Sequence, residues 1–378
     1  MDTINPRVGV LLETDTAWAR HLIEGIILYS RSHSPWDLYL DPLPIDSSWH
    51  IPGDWKGDGI IARVSSPYVL NNLRSLGLPV VNVSGNQVEG CDYPRVMTSP
   101  SSQAELAYDA FRSRGFEQFA YVGPVNHAHV QQHCDAYKQC LEQHGYELMV
   151  HQPQSSDALK QWLRSAPKPM AVFCWGSHWG GRIINACAAD KISVPHDVAV
   201  LGSNYDEIYN EASFPPQAGI EMNPRHIGEL AASVLDRLMK GQEVEKLEWF
   251  LEPVKVVEKP SIDTFAVADE RVRQAIDFLN QNALNPISVD DVVEVVPIPR
   301  RTLERRFRKC TGHSIRDYTR QLRVNHAREL LANTDQTMVA ISDECGFSSY
   351  NYFNRVFKQM VGVSPSRYRR DWKESANR

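Results

Sequence analysis

The chain has 378 residues, of which 42% are hydrophobic and 23% charged, and a formal net charge of −6. That length is too great for one ordinary core and fits two or three domains. It holds no run of about eighteen apolar residues, which argues against a membrane span. Its opening Met1-Asp-Thr-Ile-Asn-Pro6 lacks the basic-then-apolar layout of a secretion signal, so a cytoplasmic location is expected. Seven cysteines, an odd number at irregular spacing, argue for reduced thiols and against a disulfide frame.

From Arg7 onward the chain reads as alternating strands and helices. Residues 7–12 form a continuous apolar strand, 18–29 a helical stripe, and 36–40, 59–62 and 78–83 three further strands. The pattern restarts after Ser99-Pro-Ser-Ser102, with helices at 103–113, 133–144 and 179–189 and strands at 119–122, 170–174 and 198–201. Buried apolar strands between helices imply parallel sheets covered on both faces. Two such sets in succession predict an α/β region of two lobes with a cleft, spanning residues 1–258.

Several short pieces of this region resemble the sugar-sensing core of the lactose-repressor family, which has a periplasmic-binding-protein fold. They are Glu24-Gly-Ile26, Asp58-Gly-Ile-Ile61, Leu78-Pro-Val-Val81, Arg114-Gly-Phe116 followed by Phe119-Ala-Tyr-Val-Gly123, and Val194-Pro195 leading to Val198-Ala-Val-Leu-Gly202. The resemblance implies a small-molecule effector in the cleft. It places Trp18 where an aromatic ring stacks on a sugar, with Arg20 following at the helix start.

At three places the charged hydroxyl clamps of the family are replaced. His133 stands for an arginine before Ala136-Tyr137, Trp175-Gly-Ser-His178 for an aspartate loop, and Asn204 for an aspartate after Gly202. The effector set is therefore Trp18, Arg20, His133, Trp175, His178 and Asn204, and two readings stay open: a pentose-like sugar, or a changed or lost ligand.

His127, His129, His133 and Cys134 also have spacing that could ligate zinc, or could simply line a polar loop. No second cluster accompanies them, so neither a metal nor another cofactor is expected. Closure of the cleft is expected about chain crossings near residues 99–102, 204–207 and 219–223.

Residues 259–268, with Lys259-Pro-Ser261, read as a short linker to an all-α domain at 269–378. This domain holds two helix-turn-helix patterns. In the first, over 288–308, a short helix and a proline-marked turn lead to a second helix opening at Pro299, since proline suits a first helical position. Leu303 and Phe307 point inward, leaving Arg300, Arg301, Glu304 and Arg305 outward. Arginine can fork onto guanine or grip phosphate, and glutamate can accept from cytosine.

Residues 315–331 read as one helix, and about seventeen residues at about 1.5 Å each give a spacer of roughly 25 Å. In the second pattern, over 338–358, Val339, Ala340 and Ile341 form an apolar helix face. Gly346 turns the chain, and Ser348 or Ser349 caps the next helix. Phe353, Val356 and Phe357 make a core stripe, with Tyr350, Asn351, Asn354 and Arg355 outward. Two recognition helices held by a strut fit successive major grooves of double-stranded DNA, a bipartite site.

Ala327-Arg-Glu-Leu-Leu331, Ile341, Cys345-Gly-Phe347, Tyr352-Phe353, Phe357-Lys358, Gly362, Ser364-Pro365 and Tyr368-Arg369 together resemble the signature of the AraC/XylS family of DNA-binding domains. By that resemblance the base-reading positions fall on Arg301, Glu304 and Arg305, and on Tyr350, Asn351, Asn354 and Arg355. Val295-Val-Pro-Ile-Pro299 departs from the family pattern at the start of the first recognition helix. A lactose-repressor-like core followed by such a domain resembles the xylose-operon activators of enteric bacteria. The pairing implies an activator with a sugar effector, a homodimer, and RNA polymerase as a partner.

Charge divides the same way. Residues 298–378 hold 17 Lys and Arg against 8 Asp and Glu, a net of +9, which leaves −15 for the part before them. The basic part is drawn to phosphate and the acidic part repelled. Phosphate-loop, nucleophile-elbow and zinc-helix motifs of enzymes are missing from the sequence. An enzyme is thus the weaker class, and a ligand-independent DNA-binding regulator whose sensor core only dimerises is the alternative within the stronger one.

Overall fold

A computed structural model describes residues 5–33, 35–40, 55–264 and 269–376. The chain divides into two compact units, Met1–Thr264 and Phe265–Arg378.

The first unit begins with β1 (Arg7–Leu11), α1 (Ala17–His33), β2 (Asp37–Leu40), β3 (Gly59–Ala62), α2 (Pro67–Leu76), β4 (Val80–Asn82) and β5 (Arg95–Thr98). It continues with α3 (Pro100–Arg112), β6 (Phe119–Val122), α4 (Ala128–Gln143), β7 (Leu148–His151), α5 (Ser156–Ser165), β8 (Met170–Cys174), α6 (Gly176–Ala189), β9 (Val198–Gly202), α7 (Glu207–Glu211) and β10 (Ala218–Glu221). It ends with α8 (Pro224–Met239), β11 (Glu248–Leu251), β12 (Lys255–Val257) and a 3-10 turn, Pro260–Ile262.

These strands make two six-stranded sheets, ordered β11-β5-β4-β3-β1-β2 and β12-β10-β9-β8-β6-β7. Every pairing is parallel except β10 with β12. All residues of β3, β6, β8 and β9 are buried, which is why they read as unbroken apolar runs. Each sheet with its helices is one lobe of the expected two-lobe α/β core.

The first lobe is completed by chain that returns late. Helix α8 lies on α1, and the two backbones meet at paired glycines. A Cβ on Gly25 would stand 1.9 Å from the Arg225 carbonyl oxygen, and one on Gly228 would stand 2.0 Å from that of Leu22. Strand β11 then pairs with β5 before β12 goes back to β10.

The chain therefore crosses between lobes at residues 99, 222–223 and 252–254. The first two match the expected crossings. The expected crossing at 204–207 is corrected: β9 and β10 are parallel neighbours in one sheet, so the chain between them stays in the second lobe. The third crossing is at 252–254 instead.

The expected linker also differs in its first half. Ser261 and Ile262 are fully buried, and the Ser261 hydroxyl donates to the Val200 carbonyl (2.6 Å) and accepts from the Ala218 N–H (2.8 Å). Thr264 Oγ1 lies 2.6 Å from His196 Nδ1. Residues 259–264 are thus stitched onto the second lobe, because their polar groups complete the β9 and β10 edges. Residues 265–268 of that linker lie outside the described residues. All seven cysteines are free thiols, and five of them are buried.

The second unit is helical: α9 (Glu270–Asn282), α10 (Val289–Val295), α11 (Arg300–Thr311), α12 (Ile315–Asn333), α13 (Met338–Glu344), α14 (Tyr350–Val361) and α15 (Pro365–Ala376). Ser288 and Asp291 form a reciprocal capping box on α10. Pro299 occupies the position just before α11, which starts at Arg300, one residue later than expected, and Ser349 accepts from the Tyr352 N–H to cap α14.

Leu303, Phe307, Phe353 and Phe357 are fully buried as the periodicity requires, with Val356 nearly so. On α13 only Ile341 of the expected stripe is inside. Val339 is 54% exposed and Ala340 is exposed too, because so short a helix turns a single side to its neighbours. No helix among the described residues is long and apolar enough to cross a membrane.

Replacing Gly25 with alanine should force α1 and α8 apart. It should cost about 1–3 kcal/mol, read as a lower denaturant midpoint of the full chain.

Candidate nucleic-acid interface and ligand cleft

The two recognition helices present unlike surfaces. On α11, Arg301 and Arg305 are exposed and no hydrogen bond or ion pair engages them among the described residues. Arg300 is committed: its guanidinium donates to Asp290 (2.7 Å) and to Glu304 (3.1 Å). Exposed Arg301 and Arg305 can therefore reach bases or phosphates directly, whereas Arg300 and Glu304 must first part.

On α14, Asn351 is exposed, and Arg355 is exposed with its guanidinium 5.4 Å from the centre of the Tyr352 ring. That ring holds the arginine side chain along the helix. Tyr350 is half-buried against Phe353, and Asn354 is half-buried with no hydrogen-bond partner for its Oδ1 among the described residues. The outward set expected on α14 thus splits into two exposed and two half-buried groups.

In the two-lobe unit, the first lobe contributes Trp18, half-buried against its apolar core. Arg20 donates from one nitrogen to the carbonyls of Thr14 (2.9 Å) and Asp15 (3.0 Å), so it pins the loop before α1. The second lobe brings His133 and Trp175 together, ring centres 5.3 Å apart and edge to face. His133 is 3% exposed. Its Nδ1 lies 3.0 Å from the Tyr121 hydroxyl, and its buried Nε2 has no hydrogen-bond partner among the described residues.

Burial, then His129, pushes the His133 ring down to about 3. Asn204 Oδ1 accepts from the Ser177 N–H at 2.9 Å and so steadies the first turn of α6, while His178 is exposed.

Groups that the sequence reading passed over join this set. Glu13 is 7% exposed and paired with Arg63 at 3.1 Å. His129 Cβ would lie 3.7 Å from a Cβ on Gly85, so the two lobes approach one another there. Burial and then the charge of Arg63 push His129 down to about 4. The only foretaste of Glu13 and Arg63 in the sequence was their place at the ends of apolar strands, where charge needs a partner. Of the possible zinc ligands, Cys134 is buried with its thiol pushed up to about 12. Among the described residues, no three such side chains converge on one point.

Family profiles cover most of the chain. One described as the XylR N-terminal domain matches residues 7–100, one described as a periplasmic binding protein-like domain matches 108–262, and one described as a helix-turn-helix domain matches 292–371. The chain is 27% identical over 387 residues to the xylose operon regulatory protein of Escherichia coli K12, covering 98% of both. It is similar to a solved structure of the "xylose-binding transcription activator xylR", with 26% identity and a TM-score of 0.76 over 98% of this chain and 99% of that one. A LacI family transcriptional regulator from Bifidobacterium animalis subsp. lactis shares the fold over 69% of this chain and 98% of its own, with 20% identity and a TM-score of 0.57.

Replacing Arg355 with alanine should cost about 1–3 kcal/mol of specific DNA binding and relax preference at one base position, read in a competition assay on duplex variants. The pH dependence of stability follows from His133. Its folded value of about 3 lies below the ordinary 6.5, so the unfolded chain takes up the proton first as pH falls. That contribution is complete above about pH 6.5 and is lost towards pH 3. In His133→Phe the fall of the urea midpoint between pH 7 and pH 4.5 should be shallower than in the natural chain.

Proposed function

We propose that this chain, a DNA-binding transcription regulator of the xylose-operon-activator type and not an enzyme, is a cytoplasmic homodimer that senses a small sugar between its lobes and activates catabolic genes. The observation that carries the reading is the presence in one chain of a two-lobe cleft and a basic pair of recognition helices, in the same order as in those regulators. Residues 1–264 are the sensing domain, and 269–378 the DNA-binding domain. RNA polymerase is the further partner that an activator requires.

The cleft favours a neutral, hydroxyl-bearing ligand. Trp18 and Trp175 offer ring faces to the C–H side of a sugar. His133 and His129, both uncharged at neutral pH, offer ring nitrogens to hydroxyls. A pentose fits this set, and one of the similar solved structures is that of a xylose-binding activator.

Closure about the three crossings would turn the lobes towards each other. The ligand can drive it only by its differential affinity for the two arrangements, about 1–3 kcal/mol for a typical effector. Because residues 259–264 are fastened to β9 and β10, the chain leaves for the DNA-binding domain from the second lobe.

A second reading has its own support. Arg20 and Asn204, two groups expected to grip a ligand, already spend hydrogen bonds on backbone. A regulator whose core only dimerises would look the same at those two positions.

A thermal-shift series with pentoses, hexoses and sugar phosphates separates the two readings, since a ligand raises stability by mass action. One sugar should shift the unfolding transition selectively; no shift with any would leave the dimerising core. In Trp18→Ala that shift should vanish, with basal binding to duplex DNA unchanged in a gel-shift assay.

A further inference from the structure

The two helix-turn-helix units have separate apolar cores. One gathers Leu303 and Phe307 with residues of α9 and α10, the other Ile341, Phe353 and Phe357. No buried residue belongs to both clusters, and α12 serves them in turn, with Ile315 and Tyr318 in the first and Val324, Ala327 and Leu331 in the second. One shared helix leaves freedom, since long helices bend and side chains of two separate cores do not key into each other.

Across this seam lies a polar clasp. Arg323, on α12, donates from Nε to the Ala283 carbonyl (2.7 Å) and from Nη2 to the Asn285 carbonyl (2.8 Å). Its guanidinium stands 5.9 Å from the centre of the Phe347 ring, in the turn of the second unit. The loop that it holds abuts that same turn: Gly346 has φ +71°, and a Cβ there would stand 2.3 Å from the Leu284 carbonyl oxygen. One turn earlier, Arg320 donates to the Tyr352 hydroxyl of α14 at 2.9 Å. The side chains of Arg316, Thr319, Arg320, Arg323 and Tyr352, with Ser288, line a groove of about 280 Å³ between the units.

We propose that Arg323 and Arg320, with the Leu284–Gly346 backbone contact, are positioning residues that fix the separation and twist of the two recognition helices, and so the spacing of the half-sites the protein accepts. The inference rests on the double helix-turn-helix reading above. A guanidinium suits the task because its fixed fork spans two carbonyls at once, and a lysine ammonium does not. One added base pair turns a half-site by about 35° and shifts it by about 3.4 Å, which a clasped pair of helices cannot follow.

The test is selection of the full-length chain on a randomised duplex DNA library, beside the variants Arg323→Ala, Arg323→Lys and Tyr352→Phe. The natural chain should enrich two half-motifs at one spacing and lose about tenfold or more in binding when a base pair is added between them. Both Arg323 variants should enrich the same half-motifs over several spacings, with that loss reduced to less than about threefold. Tyr352→Phe removes one hydroxyl without disturbing the core, and it should broaden the spacing in the same direction if Arg323→Ala proves too unstable to assay.

A single sharp spacing in all three variants overturns the proposal. So does a uniform loss at every spacing that lysine restores, which would make Arg323 a phosphate contact. A natural chain that enriches only one half-motif overturns it as well. Failure of the natural chain to enrich any motif instead removes the DNA-binding reading beneath it.

Discussion

The polypeptide passes between its two lobes three times, and this triple passage constrains everything else in the first unit. Each lobe has a six-stranded sheet and an apolar core of its own, so neither needs the other to bury its strands. What joins them is backbone, at residues 99, 222–223 and 252–254. Three adjacent strands of chain resist sliding and permit rotation, which is the motion that opens or shuts a cleft. The last passage also decides which lobe hands the chain on. Had β12 stayed beside β11, the exit would belong to the first lobe; its pairing with β10 gives it to the second.

Local pattern revealed the strands that are buried on both faces. Gly59-Ile-Ile-Ala62 and Met170-Ala-Val-Phe-Cys174 have no polar residue to interrupt them, so periodicity alone suffices. Helix α8 and strands β5, β10, β11 and β12 were not visible in that way. They are short or carry charges, as in Glu-Trp-Phe-Leu of β11, and they are fixed by partners outside their own stretch of sequence, which for α8 on α1 and for β11 beside β5 lie more than a hundred residues away. The third crossing was unreadable for the same reason. The helix-turn-helix units were the reverse case, because Gly346, Ser349 and Ser288 carry turn and cap chemistry that acts within a few residues.

Residue type was legible at the expected effector positions, but side-chain commitment was not. Nothing in the neighbourhood of Arg20 or Asn204 announces that one will bind the loop before its helix and the other the start of α6. The ion pair of Glu13 and Arg63 joins residues fifty apart in sequence. The same distinction runs through the basic unit. Arg301, Arg305 and Arg355 present charge outward, whereas Arg300, Arg320 and Arg323 spend theirs on the protein itself. A count of positive residues measures attraction to phosphate, but only their hydrogen bonds tell which ones remain to make contact.

The free thiols have a consequence of another kind. Cys134 and Cys187 are held up to about 12 by burial, and Cys174, at the centre of the second sheet, is raised as well. Only the thiolate reacts with alkylating agents and peroxides, so these side chains are inert while the lobe is shut. Their reaction must wait for the lobe to open. The rate at which Cys174 is labelled is then a clock for that opening, built into the chain without any added probe.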